Sequence, residues 1–84
     1  MAIPKTFGGF KLEKTEQYWI SESKRRFIIA YGSKKEEIKS YYCTVLITID
    51  YNSEPDFKLP HYFLEESKAL CDYHLRLADA YKYR

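Results

Sequence analysis

Residues 41–51 alternate so regularly that the rest of the chain has to be arranged around them. Tyr41, Cys43, Val45, Ile47, Ile49 and Tyr51 fall on one side of an extended backbone, and Tyr42, Thr44, Leu46, Thr48 and Asp50 on the other. Successive side chains in a strand point to opposite faces, so this pattern predicts an antiparallel strand with one buried face. Ile47, flanked by Val45 and Ile49, is expected at the centre of the core beneath a covering helix.

Two further strands precede it. Residues 18–20 and 25–31 are rich in aromatic and β-branched side chains and are separated by the polar stretch Ser21, Glu22, Ser23 and Lys24, the signature of a hairpin. Residues 32–37 read as a second turn. Residues 1–9 read as an arm punctuated by Pro4 and the Gly8-Gly9 pair, with Ile3, Phe7 and Phe10 as apolar anchors. Residues 10–16 fit either an edge strand or an extended lead-in.

After Pro60, a residue suited to a first helical turn, the period changes. Glu65, Lys68, Asp72, Arg76 and Asp79 recur every three or four residues, while Phe63, Leu70, Tyr73, His74, Leu77, Ala78 and Tyr81 occupy the other side. Glu65 and Glu66 at the start, with Lys82 and Arg84 at the end, suit the helix dipole. The fold expected is therefore α+β: one domain over residues 1–84, with an extended N-terminal arm (1–9), an antiparallel three-stranded meander (17–51) and one long C-terminal helix (60–82), in the order β-β-β-α. A single domain is also all that 84 residues allow. Its core would rest on aromatic side chains, 18% of the chain, each of which removes about 150–250 Å² from water when buried.

Several chemistries fail for want of the right residues in the right spacing. Cys43, Cys71, His61 and His74 could in principle supply a tetrahedral zinc, but no two form the closely spaced pair that such sites use, so no metal is expected. A Cys43 nucleophile would sit mid-strand on an apolar face, far from the electropositive setting a thiolate needs. Glu36 with Glu37 and Glu65 with Glu66 read as solvated surface, without the burial that acid/base work by paired carboxyls requires. The three glycines make no phosphate loop. No catalytic residue, cofactor or small-molecule substrate is expected, and the chain is not expected to be an enzyme. The two cysteines are expected to be free thiols. The opening residues lack the apolar core of a secretory signal and no apolar run could span a bilayer, so a cytoplasmic protein is expected, in the host cytoplasm if the chain is viral.

Two kinds of binding remain. Trp19, Ile28, Tyr42 and Leu46 are expected to share the sheet face that the helix leaves open, with Lys24, Arg25 and Arg26 at its rim. Tyr, Trp and Arg dominate protein interfaces, so the leading expectation is a small non-catalytic module, a regulator or inhibitor of the kind phages make, docking on a protein through that face. The competing fate of that face is to be covered by the arm through Phe7 and Phe10. The alternative function is nucleic-acid binding by the basic turns, Lys24, Arg25 and Arg26 together with Lys34 and Lys35, with Trp19, Tyr41 or Tyr42 stacking on bases. The β-β-β-α order resembles that of three-stranded-sheet DNA readers such as the arm-binding domains of some integrases, a likeness of topology without a shared motif. The net charge of +2 permits an acidic partner without requiring one.

Overall fold

A computed structural model describes residues 2–83; Met1 and Arg84, and with Arg84 its expected part in the helix dipole, lie outside them. The chain runs through β1 (Thr6–Phe7), β2 (Phe10–Ile20), β3 (Arg26–Glu36), β4 (Lys39–Ile49), β5 (Asp56–Phe63) and α1 (Glu66–Tyr83). All strands join one antiparallel sheet in sequential order, so the α+β class holds but the sheet has five strands where three were expected. The arm supplies β1, because Gly8 and Gly9 both take positive φ (54° and 86°), which closes a two-residue hairpin across the Phe7–Phe10 pair. Residues 10–16 are part of β2. Residues 32–36, expected in a turn, continue β3, and the reversal is confined to Glu37 (φ 55°) and Ile38.

β5 is the strand that Pro60 disguised. Lys58 pairs with Leu46 and His61 with Thr44, so Leu59 and Pro60 together face one residue of β4. This is a bulge, with Leu59 held at φ 49°. An edge strand tolerates proline there because its missing N–H is not needed by the ladder. The helix accordingly begins at Glu66 and not at residue 60.

The pairing of Ile28 with Ile47 and of Ile29 with Leu46 sorts the side chains into two cores. Ile28, Ala30, Val45, Ile47 and Ile49 form the first, covered by Ile3, Phe7, Leu12 and Phe57. Ile29 and Tyr31 form the second with Ala69, Tyr73 and Leu77 of α1, joined at its margin by Tyr18, Tyr42, Leu46 and Phe63. The helix thus lies over the Leu46 face, and Ile47 sits beneath the arm and the edge strands. Register shifts in β2 and between β4 and β5 sharpen the sheet's twist. The sheet curls until its outer strands meet: Phe7 of β1 stacks on Phe57 of β5 at 4.7 Å between ring centroids, and Phe10 lies 5.8 Å from Tyr62. Both faces of the central strands β3 and β4 are packed, one under the arm and edge strands and the other under the helix. On the helix, His74, Ala78 and Tyr81, expected on its apolar side, are exposed. Tyr81 instead hydrogen-bonds Glu16 of β2.

Candidate functional site: an aromatic cleft at the end of the β5 edge

The residues expected to form a docking face do not share one. Ile28 is fully buried in the inner core, whereas Tyr42 and Leu46 lie on the opposite face, half-buried beside the helix. Tyr42 is stacked on Tyr31. Trp19 is 48% exposed near the end of β2, where its ring stacks on Phe27 at 5.0 Å. The physical reason is register: Ile28 and Leu46 occupy pairs one residue apart, so their side chains leave the sheet in opposite directions.

The basic residues are also divided. Lys24 is exposed in the β2–β3 turn, where it takes a left-handed conformation (φ 69°). Arg25 donates from Nε to Asp50 at 2.5 Å, and Arg26 from Nε to Gln17 at 2.5 Å. Lys34 and Lys35 stand at the far end of β3, about 26 Å away at roughly 3.3 Å of strand per residue. Cys43 faces the inner core, Cys71 is exposed on the helix, and among the described residues no three His, Cys, Asp or Glu side chains gather where a metal could be held. Burial pushes the Cys43 thiol up to about 11, outweighing the Gly32 backbone hydrogen bond and the Lys34 charge.

A concave site lies elsewhere, where the curl brings the start of β2 against the ends of β4 and β5. Phe10, Lys34, Tyr41, Tyr42, Tyr62, Phe63 and Leu64 enclose a cleft of about 300 Å³. Each wall follows from a local feature. The glycine turn delivers Phe10, the pairing of Lys34 with Tyr41 sets those two side by side, and the β5 edge supplies Tyr62. Lys34 Nζ stands 4.7 Å from the Phe10 ring centroid and 5.9 Å from that of Tyr41, a cation held against aromatic faces. Its carboxylate neighbour, Glu36, lies 3.4 Å away with a well-exposed side chain. Tyr62 and Leu64 are 62% and 75% exposed, and Leu59 further along the same strand is 66% exposed. The cleft is hidden in the sequence together with β5; its visible trace is the run of apolar residues 62–64, which falls within the helix expected over 60–82.

A second constellation ties α1 to that edge strand. Asp72 Oδ2 accepts from the buried Thr44 hydroxyl at 2.6 Å and from His61 Nδ1 at 2.9 Å. His61 Nε2 in turn accepts from Arg76 Nη2 at 2.7 Å, which fixes the imidazole proton on Nδ1. Arg76 Nη2 also donates to Leu59 O at 2.6 Å, the carbonyl turned out by the bulge. Burial pushes the Asp72 carboxyl up, but the Thr44 and His61 hydrogen bonds and the Arg76 charge outweigh it and hold the group below the usual range. With both imidazole nitrogens engaged, this cluster fastens the helix to β5. Among the described residues no helix is long and apolar enough to cross a membrane. Comparison with known protein families, characterised proteins and solved structures gives no significant match to any of them.

Proposed function

We propose that this chain is a non-catalytic interaction module that docks a partner polypeptide, and that it does so along the β5 edge and the aromatic cleft beside it. A module of this size acts by occupying a surface of its partner, as a regulator or inhibitor does. The observation that carries the reading is the cleft itself: aromatic walls, one cation, and exposed Tyr62 and Leu64 on a strand hydrogen-bonded on one side only. Free strand edges pair readily with an extended chain, and aromatic pockets supply the central contacts of protein interfaces. The nucleic-acid alternative has less to stand on, since the two basic groups lie at opposite ends of β3 and Arg25 is engaged by Asp50.

The test is a binding comparison with the partner recovered from nuclease-treated native lysate. Tyr62→Ala should cost about 2 kcal/mol or more of binding, as a central aromatic anchor does. Lys34→Glu should weaken binding as well, while Trp19→Ala, remote from the cleft, should leave it within about 0.5 kcal/mol. A loss at Trp19 with none at Tyr62 would refute the assignment. Affinity falling steeply with salt would support a nucleic-acid partner instead.

A further inference from the structure

We infer that the cleft receives the C-terminal residue of the partner polypeptide, with an apolar or aromatic side chain between the rings and the terminal α-carboxylate on Lys34. The inference rests on the reading of β5 and its cleft as the docking surface, and adds the chemistry of what enters it. Lys34 sets a positive charge into an otherwise aromatic wall, 4.7 Å from the Phe10 centroid, with its side chain only 30% exposed. The Glu36 carboxylate that neighbours it is 63% exposed, and such wet pairs are held weakly enough to exchange for an incoming anion. Charge therefore selects an anionic group, and the walls select an apolar body attached to it.

Size narrows the choice. A cleft of about 300 Å³ is at the small end of ligand pockets and holds one large side chain, not a helix or a long segment. An Asp or Glu side chain would bring the charge without the apolar body, and an inorganic anion would leave the rings uncovered. A C-terminal leucine, phenylalanine or tyrosine carries both in a single residue. The strand beside the cleft fits the same ligand. Leu59 and Pro60 interrupt the edge with a bulge and a missing N–H, so an added strand can pair only along residues 61–63 before it reaches the cleft at Leu64. A short, extended C-terminal segment is what that length accommodates.

The experiment is a titration of the ¹⁵N-labelled full chain with three probes: a pentapeptide ending in phenylalanine with a free carboxylate, the same peptide as its C-terminal amide, and N-acetylphenylalanine. The acid peptide should shift the Lys34, Tyr41, Tyr62 and Leu64 amides saturably, and the amide should bind about tenfold or more weakly, the loss expected for one charge-assisted hydrogen bond. Lys34→Met should show the same loss with an otherwise unchanged spectrum, and Lys34→Arg should restore part of it. Equal binding of acid and amide, or no binding of either, overturns the inference. Should that happen while Tyr62→Ala still abolishes partner binding, the docking surface stands and only the carboxylate falls. N-acetylphenylalanine binding as tightly as the peptide would overturn the polypeptide ligand in favour of a small aromatic acid.

Discussion

Replacing Asp72 with alanine would strand three groups at once, because Thr44, His61 and Arg76 all converge on one carboxylate oxygen. Thr44 is fully buried, so its hydroxyl would be left without a partner at a cost of about 1–3 kcal/mol. Arg76 has a side chain only 12% exposed and would lose its opposing charge. Breaking a fully buried pair costs about 3–5 kcal/mol. Solvent reaches 23% of the Asp72 side chain, which screens this pair, so about 2–4 kcal/mol in total is the expectation. A chain of 84 residues has roughly 4–13 kcal/mol to lose, and at about 4–8 °C per kcal/mol the melting temperature should fall by at least about 8 °C. Urea and thermal denaturation followed by circular dichroism would measure it, with a double-mutant cycle against Thr44→Val to isolate the pair. The depressed carboxyl also fixes the sign of the pH dependence. The stabilisation is present above the ordinary value of 3.8 and is lost as pH falls through it toward the folded-state value, so Asp72→Asn should flatten that acid limb. A loss under about 0.5 kcal/mol, or strict additivity with Thr44→Val, would refute the reasoning.

Ile47→Ala should cost about 2–5 kcal/mol, since the side chain is buried in the inner core against Ile28 and Phe57, and a variant melting within a degree or two of the parent would contradict that placement. Burial and a thiol raised to about 11 should leave Cys43 unreactive to a thiol reagent in the folded protein while the exposed Cys71 reacts promptly. Both should react in urea, and equal rates in the native state would contradict the packing.

Local chemistry was readable where a single element dictated it. The alternation of residues 41–51 located β4 to within two residues, and the three- and four-residue spacing located most of α1. What failed was anything decided by tertiary contact. The period-two pattern says that Leu46 and Ile47 point opposite ways but not which of them the helix covers, and both faces proved to be core. Pro60 favours a first helical turn or an edge-strand bulge about equally, and β5 was lost because the bulge needs β4 beside it to be recognised. The cleft followed β5, since Phe10 and Tyr62 are 52 positions apart in the numbering and meet only when the sheet curls. The Asp72–Arg76 pairing was legible as a spacing, but not the inward turn toward Thr44 and His61 that makes it structural.

The docking surface is most directly located by amide hydrogen exchange of the full chain, free and bound to the recovered partner. Exchange reports protection residue by residue, so it separates the edge from the faces without mutating either. The account predicts slowing at residues 61–64 of the β5 edge and at Lys34 and Tyr41 beside the cleft, with residues 17–20 around Trp19 unchanged. Slowing confined to the Trp19 end of β2 or to the outward side of α1, with β5 exchanging as in the free protein, would contradict it.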